Sequence, residues 1–246
     1  MVTKSTIKYI QSLQHKKFRD EFNCFIAEGP KVVKGFLEQA KFKCLHIYCL
    51  EKWRHNSIAW LNECSTANLT IINEFELDKV SGLSKANEVL AIFEKLKPAP
   101  PDVKNCLNLV LDDIQDPGNL GTIIRIADWF GIPNIFCSLH TADMYNFKVV
   151  QSTMASLGNV NIFYTNLVSL LENSPLTKYA AYLNGQPLSA MPQLTEGFLI
   201  IGNESKGIRD DILQFVDARI TIPRIGHADS LNAAVATGIL LYELTK

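Results

Sequence analysis

The sequence predicts an α/β protein built from two modules, and three observations support this class. Short apolar segments alternate with helix-like segments along most of the 246 residues. In the second half of the chain these apolar segments are nearly continuous, which is typical of parallel strands that helices cover on both faces. Between the halves, three prolines fall within residues 98–101, a composition that continues neither a helix nor a sheet ladder.

In the first module, the spacing of apolar residues places each element. Apolar residues at every third or fourth position predict a helix over residues 5–13. The apolar run 24–27 predicts a strand, and Gly29-Pro30 opens a helix that continues to about Gln39. Three further strand-like runs lie at residues 46–50, 69–72 and 89–93.

The second module alternates strands and helices more regularly. Its candidate strands lie at residues 109–111, 135–137, 160–163, 179–183, 198–201 and 218–222. Polar clusters follow several of these strands, and parallel sheets gather their functional groups beyond the carboxyl ends of the strands. The chain contains neither G-x-G-x-x-G nor a Walker P-loop, which argues against nicotinamide enzymes, P-loop NTPases and the common Rossmann-type methyltransferases. An enzyme of another kind is therefore the leading interpretation.

Composition narrows the classes further. With 47% hydrophobic and 20% charged residues, the chain can bury a full core and shows no bias toward disorder. The first residues lack an apolar signal core and no apolar run approaches membrane-spanning length, so we expect a cytoplasmic protein with no membrane partner. The six cysteines form no C-x-x-C pair and the five histidines are dispersed, so we expect reduced, mostly buried thiols and no metal site.

The net charge of −1 conceals an asymmetry along the chain. Residues 1–54 hold eleven Lys and Arg against five Asp and Glu, a balance of +6, which leaves thirteen against twenty, or −7, for the remainder. A basic front on an acidic body is typical of a module that contacts RNA or DNA. Ordinary charge segregation, without a role in binding, is the alternative.

The first polar cluster lies at the head of a predicted helix. Pro117-Gly118 forces a turn, and Asn119 is suited to cap a helix that runs to about Phe130. Arg125 falls inside this helix. Since six residues of helix point two side chains to different sides, Asn119 and Arg125 converge only if Asn119 lies in the turn. A helix cap with an unrelated, solvated arginine is the alternative.

Two further clusters follow later strands. Residues 202–204 (Gly-Asn-Glu) come directly after the apolar strand 198–201, where they form either a site or an ordinary surface turn. Ser230 is the expected N-cap of an apolar helix over residues 233–244. Asn232 would then occupy the first turn of that helix, where its low helix propensity is unfavourable. The presence of an asparagine at this position therefore needs an explanation other than helix formation.

Together these clusters resemble the SpoU/TrmH family of RNA ribose 2′-O-methyltransferases, within the SPOUT superfamily. The matching segments of the second module are residues 116–127, residues 201–207, and Ile222-Pro223 followed by residues 230–236. The first module resembles the small substrate-binding domain of this family, which is similar to ribosomal L30e proteins. Its matching segments are residues 17–19, 25–29 and 89–91. The resemblance therefore spans nearly the whole chain.

The resemblance implies a substrate-binding domain at residues 1–97, a linker at 98–104 and a catalytic domain at 105–246. It also implies a C-terminal trefoil knot that holds S-adenosylmethionine, and a homodimer whose active sites form at the interface. The residues that match the active-site positions of the family are Asn119, Arg125, Glu204, Ser230 and Asn232. The residues expected to bind the methyl donor are Leu183, Asn184, Gly185, Gly202, Asn203, Ile222 and Leu231.

The resemblance suggests roles for these residues. Arg125 fits an anchor for phosphate or hydroxyl better than a general base, because a guanidinium pKa above about 12 is costly to lower. Ser230 and Asn232 would position the ribose while Glu204 holds the pocket. The expected phosphate contacts of the basic module are Lys16, Lys17, Arg19, Lys31 and Lys34, acting together with the catalytic domain of the partner subunit.

The identity of the RNA stays open at this point. A separate substrate-binding module favours ribosomal RNA over transfer RNA, and a catalytically silent RNA-binding or ribosome-assembly factor is the alternative outside enzymes. The intact catalytic set argues against a silent factor. Two positions depart from the family pattern: Arg224 replaces a common methionine, and Asn87-Glu88 replaces a glutamine-glycine pair. Neither belongs to the catalytic set.

Overall fold

In a computed structural model, which describes residues 2–64, 67–97 and 99–246, the chain forms two compact units. The first comprises Met1–Lys97 and Tyr145–Gly158, and the second comprises Pro98–Met144 and Asn159–Lys246. The sequence placed residues 145–158 in the second domain, whereas the structure packs them with the first unit. Pro98 of the predicted linker and the side chain of Cys64 lie outside the described residues.

Helices and strands alternate through the first unit. The helices are α1 (Lys4–Ser12), α2 (Lys16–Glu21), α3 (Pro30–Gln39), α4 (Glu51–Cys64) and α5 (Glu74–Val80). The strands are β1 (Cys24–Glu28), β2 (Cys44–Cys49), β3 (Asn68–Ile71) and β4 (Val89–Glu94). Each strand predicted for this module overlaps one of these four.

The four strands form one sheet in the order β1-β4-β2-β3, with β4 antiparallel to both of its neighbours. One face packs on α1 and α5 through a cluster that includes Ile10, Leu77 and Leu90. Phe25 and Phe93 point to the other face, because side chains alternate along a strand, and their rings stack with centroids 5.7 Å apart. Both faces of this sheet are therefore covered by apolar side chains.

The second part of the chain continues the alternation. Its strands are β5 (Leu107–Leu111), β6 (Asn134–Cys137), β7 (Asn161–Tyr164), β8 (Lys178–Pro187), β9 (Gly197–Ile201) and β10 (Ala218–Thr221). Its helices are α6 (Pro117–Trp129), α7 (Phe147–Thr153), α8 (Leu167–Glu172), α9 (Asp210–Leu213) and α10 (Ala233–Leu244). Helix α7 packs on β1 of the first unit. All six candidate strands of the sequence overlap observed strands.

The six strands of the second unit form a parallel sheet in the order β10-β8-β9-β5-β6-β7. The predicted parallel sheet is thus confirmed. Strands β10, β8, β9 and β5 are neighbours in the sheet although they do not follow one another in this order along the sequence. Their carboxyl ends therefore bring together the segments that follow them, and three of these segments carry the polar clusters of the sequence.

The described cysteine side chains are all free thiols. Burial raises the pKa of Cys44 to about 12 and that of Cys49 to about 11, so both stay protonated and unreactive at neutral pH. Within the described ranges, no group of three His, Cys, Asp or Glu side chains could hold a metal ion. No helix in those ranges is long and apolar enough to cross a membrane.

Candidate active site

Helix α6 carries two of the predicted catalytic residues. Asp116 caps it, because its carboxylate accepts the backbone N–H of Asn119 at 2.8 Å and Pro117 occupies the first helical position. The prediction that Asn119 caps this helix is therefore wrong. Asn119 lies in the first turn instead, and its side chain is available for contacts outside the helix.

Asn232 caps helix α10. Its Oδ1 accepts the backbone N–H groups of Ala234 at 3.0 Å and Val235 at 3.2 Å. The sequence placed Ser230 at this cap and Asn232 inside the first turn, and both placements are wrong because the helix begins only at Ala233. The capping bonds fix the side-chain amide of Asn232 with its oxygen toward the helix and its nitrogen directed away.

Three predicted catalytic residues from three separate segments form one hydrogen-bonded chain. Nδ2 of Asn232 donates to Oδ1 of Asn119 at 2.8 Å, and Nδ2 of Asn119 donates to Oε1 of Glu204 at 2.5 Å. Every orientation in this chain is determined, because a carboxylate only accepts and the Asn232 oxygen is already bound by the helix. The chain thus connects α10, α6 and the turn after β9 through polar atoms with fixed directions.

Glu204 lies in a tight turn formed by residues 202–207. A Cβ on Gly202 would come within 2.4 Å of the Gly207 carbonyl carbon, so this position needs glycine. Asn203 exchanges two backbone hydrogen bonds with Gly207, and its Oδ1 accepts the backbone N–H of Ser205 at 2.9 Å. The Asn203 side chain therefore shapes the turn that presents Glu204.

Strand β8 carries the first group of predicted donor-binding residues, Leu183 to Gly185. Its pairing with β10 shifts register between Arg219 and Ile220, because Arg219 pairs with Ala180 while Ile220 pairs with Gln186. The five intervening residues bulge out of the ladder. Gly185 packs so closely on β10 that a Cβ would lie 2.5 Å from the Arg219 carbonyl oxygen.

The bulge is tied to the end of β10, where the last predicted donor-binding residues begin. The hydroxyl of Thr221 donates to the carbonyl of Leu183 at 2.9 Å, directly before Ile222. The loop between Ile222 and α10 is largely exposed, and Leu231 within it is 46% exposed. Among the described residues, the hydroxyl of Ser230 in this loop makes no hydrogen bond.

Arg125 is the second predicted catalytic residue on α6, and it lies apart from the hydrogen-bonded chain. It follows Asn119 by six residues, which in a helix amounts to about 9 Å along the axis and roughly 120° around it. Its side chain is exposed and, within the described part of the chain, forms no hydrogen bond or ion pair. Trp129, one turn further along α6, is 84% exposed. The structure therefore does not bring Arg125 into contact with the Asn232–Asn119–Glu204 chain.

The predicted phosphate contacts divide into two groups. Lys16, Lys17 and Lys31 are exposed, and Lys34 lies 3.5 Å from Glu38 with its ammonium over the ring of Trp60. Arg19, in contrast, is only 2% exposed and donates from Nη1 to the carbonyl oxygens of Leu13 and Gln14. This geometry contradicts the expected phosphate contact of Arg19, because its guanidinium satisfies the carboxyl end of α1.

The sequence reasoning missed Asp112 and Arg209, which flank the cluster. Asp112 follows β5 directly and is completely buried, and Arg209 follows the turn that carries Glu204. The rule that singled out Glu204, a carboxylate just past the end of an apolar strand, would also have found Asp112. Its partner was not recognisable, because the two residues are far apart in sequence.

Comparison with known proteins gives consistent matches over both modules. The SpoU rRNA Methylase family model matches residues 106–242, and the MRM3-like substrate binding domain matches residues 4–91. The chain is 37% identical over 242 residues to the 23S rRNA (guanosine(2553)-2′-O)-methyltransferase RlmP of Bacillus subtilis. That alignment covers 97% of this chain and 95% of the relative.

Solved structures agree with these matches. A TrmH-family protein from Porphyromonas gingivalis has a TM-score of 0.87 at 32% identity, with 99% of this chain and 98% of that chain covered. An AdoMet-bound rRNA methyltransferase from Sinorhizobium meliloti has a TM-score of 0.86 at 29% identity, with 99% and 95% covered. The fold described above is thus shared over the full length of both proteins.

Proposed function

Because the chain belongs to the SpoU rRNA methylase family, it is an RNA ribose 2′-O-methyltransferase that uses S-adenosylmethionine, and we propose that its substrate is ribosomal RNA of the large subunit. The main structural support for this function is the hydrogen-bonded series Asn232–Asn119–Glu204. A protein that only bound RNA would not need these three side chains to be oriented in this way. The full-length match to a 23S rRNA methyltransferase supports the choice of ribosomal RNA.

The residues beyond β8, β9 and β10 fit the methyl donor. S-adenosylmethionine supplies a methyl group that is already activated on a sulfonium. The loop ends offer backbone groups at Asn184, Gly202 and Ile222, while Leu183 and Leu231, which are 69% and 46% exposed, offer apolar side chains to an adenosine. We propose that these segments hold the donor and that they are threaded as the trefoil knot of the family.

The chain of Asn232, Asn119 and Glu204 would act on the acceptor ribose. An activated donor leaves the protein mainly the tasks of aligning the 2′-oxygen with the methyl group and of sharing its proton. Glu204 fixes the direction of the Asn119 amide, and the start of helix α10 fixes that of Asn232, so the two amides meet in one defined orientation. The exposed hydroxyl of Ser230, two residues before Asn232, is free to bind the sugar. These side chains would therefore orient the ribose.

We also propose that the protein is a homodimer in which Arg125 serves the site of the partner subunit. Helix α10 is apolar on nearly all sides, yet Val235, Ile239 and Tyr242 are 51%, 39% and 58% exposed. The neighbouring helix α6 exposes Trp129, and Gly238 of α10 lies beside Ile126 of α6. A self-complementary interface would cover this combined surface. It would also explain why Arg125, on the same surface, has no partner among the described residues of its own chain.

The first unit would supply contacts to the RNA backbone. Lys16, Lys17 and Lys31 are exposed, and such phosphate contacts are salt-sensitive and independent of sequence. Recognition of one nucleotide would then come from the shape of the RNA around an unstacked target base. Since ribosomal RNA is the proposed substrate, we place the protein in the cytoplasm.

The substrate proposal is tested by mapping 2′-O-methyl groups in the RNA of cells that lack the gene. We expect one ribose methylation to disappear from large-subunit ribosomal RNA and to return when the gene is restored. A plasmid that carries the Asn119→Ala variant should not restore it. Loss of a methyl group from transfer RNA instead, or an unchanged methylation profile, would contradict the proposed substrate.

A further inference from the structure

An ion pair between the buried Asp112 and the partly exposed Arg209 lies next to the turn that carries Glu204. Asp112, completely buried at the end of β5, accepts the backbone N–H of Arg209 at Oδ2 and the side-chain Nε of Arg209 at Oδ1, both at 2.9 Å. Arg209 comes two residues after the turn 202–207. The pair therefore fixes the far end of that turn to the neighbouring strand.

A second contact fixes the near end of the same turn. Nδ2 of Asn203 donates to the carbonyl oxygen of Asp113 at 2.7 Å. Asp113 adopts a left-handed conformation with φ of 58°, and its backbone N–H donates to the hydroxyl of the buried Ser138 at 3.0 Å. The two consecutive aspartates thus hold both ends of the segment in which Glu204 lies.

We propose that Asp112 and Arg209 are positioning residues for the methyl transfer, acting through Glu204. Glu204 orients Asn119, which bonds to the Asn232 amide that helix α10 holds in place, so a displacement of the turn alters Asn119 and its bond to Asn232. The inference rests on the proposed function, because it assigns a role within the same site. Neither Asp112 nor Arg209 would touch the ribose or the donor.

The geometry favours positioning of the turn over general stabilisation. A carboxylate that is fully buried must be paired, and Asp112 directs both oxygens at one residue of the turn segment. Helix α9, which begins after Arg209, is only four residues long and ends before β10. The ion pair therefore connects the turn to β5 and secures no long element of the core.

The test compares Arg209→Ala with two other variants. Arg209→Ala removes the guanidinium and leaves the buried Asp112 carboxylate with only its backbone bond, which costs stability. Asp112→Asn keeps the shape of the carboxylate and leaves no unpaired charge, so it tests positioning independently of that cost. Asp211→Asn is the matched control, because the exposed Asp211 lies 3.6 Å from the same guanidinium but has no bond to the turn among the described residues. Each change is measured alone and together with Glu204→Ala.

We expect Arg209→Ala and Asp112→Asn to lower kcat about 10- to 100-fold at saturating donor and RNA, since small misplacements in a site have effects of this size. With Glu204→Ala already present, neither change should lower kcat more than about twofold further, because coupled residues are not additive. Asp211→Asn should leave kcat unchanged. A kcat close to wild type for Arg209→Ala would overturn the inference. So would an equal fold-loss of kcat in the wild-type and the Glu204→Ala backgrounds.

Hydrogen exchange separates this inference from the proposed function. Arg209→Ala should speed the exchange of the backbone amides of residues 203–207, whereas Asp211→Asn should not, and neither result depends on methyl transfer. Unchanged exchange in Arg209→Ala would overturn the positioning role even in an active enzyme. An inactive wild-type protein whose turn loosens as expected would instead contradict the proposed function.

Discussion

At the scale of single residues, the site depends on side chains with one possible hydrogen-bonding direction. Asn119 is the central member, because its amide donates to Glu204 and accepts from Asn232. An amide can do both only in one orientation, and the carboxylate of Glu204 selects it. The contribution of Asn119 to function is therefore geometric, while the stability of its helix rests on the cap by Asp116.

We predict that Asn119→Ala lowers kcat about 100-fold while the melting temperature changes little. The substitution removes both bonds of the chain but leaves the Asp116 cap, so α6 should persist. Steady-state methyl transfer and thermal unfolding measure the two effects. Thr122→Ala is the control, since Thr122 is exposed on the same helix and its hydroxyl donates to the backbone carbonyl of Gly118. Equal losses in both variants would contradict the role of Asn119.

Glu28 gives a residue-scale prediction for stability. It is 2% exposed, and burial raises the pKa of its carboxyl although the Ser81 hydroxyl and the Gly82 N–H both donate to it at 2.7 Å. A raised pKa in the folded state means that the ionised form is disfavoured there. The wild-type protein therefore loses stability from this group as the pH rises from the unfolded pKa of about 4.3 through the folded pKa.

We expect Glu28→Gln to remove this dependence. Melting temperatures measured between about pH 4 and 7 should show the difference, variant minus wild type, becoming more positive as the pH rises. A Glu28→Gln difference that is constant or falls with pH would contradict the effect of burial.

At the scale of elements, close backbone approaches arrange the loop ends. Gly202 lets the turn after β9 fold back on Gly207, and Gly185 lets the bulge of β8 lie against β10. Gly185 in β8 and Gly202 directly after β9 therefore allow the close backbone packing of the loop ends at which the donor is proposed to bind. The sheet order, which places β10, β8 and β9 side by side, makes these loops neighbours.

We predict that Gly202→Ala weakens binding of S-adenosylmethionine at least about tenfold, which corresponds to about 1.4 kcal/mol. The added Cβ would lie 2.4 Å from the Gly207 carbonyl carbon, so the turn must move. Calorimetry of donor binding measures the change. Gly226→Ala, in the loop after β10, is the matched control, because its Cβ would have no atom within 4 Å. Donor binding by Gly202→Ala as tight as by this control would contradict the proposed pocket.

At the scale of the whole molecule, the exposed apolar surface of α6 and α10 is the feature that one subunit leaves unexplained. Within the described residues, Arg125 has no bonded partner and Trp129 is 84% exposed. The proposed homodimer would account for both observations through one interface. If the active site is shared in this way, a substitution that disrupts the dimer should also abolish methyl transfer.

We therefore expect Ile239→Glu to produce a monomer that still folds but transfers methyl groups at least about 100-fold more slowly. A charge at the centre of an apolar interface is costly to bury, and loss of the partner removes its Arg125. Light scattering after gel filtration measures the assembly. Phe75→Glu is the control, because Phe75 is 68% exposed in the first unit and should affect neither property. An active monomer would contradict the shared site.

Sequence patterns predicted the elements well because apolar periodicity is a local property. The strands and the helices α3, α6 and α10 follow directly from it. The N-cap residues were harder to predict, because two suitable polar residues lie close together before each helix. Asp116 caps α6 instead of Asn119, and Asn232 caps α10 instead of Ser230. Arg19 shows a further limit, because its burial depends on the carbonyl groups left at the end of α1.

The candidate site was predictable in its members but not in its connections. Glu204 and Asn119 are 85 positions apart, and Asn232 and Asn119 are 113 apart, so their bonds depend on the sheet order. The family resemblance identified these residues without saying which of them touch. Asp112 and Arg209 were missed because an ion pair between distant segments has no local sequence pattern.

The most direct measurement follows the methyl group itself. Purified protein is incubated with S-adenosylmethionine that carries a trideuterated methyl group and with ribosomal RNA from cells that lack the gene. The RNA is then digested to nucleosides and analysed by mass spectrometry. We predict that the label appears on the ribose of one nucleotide of the large-subunit RNA, and only with wild-type Asn119. Label on a base, or no label in any RNA, would contradict the account.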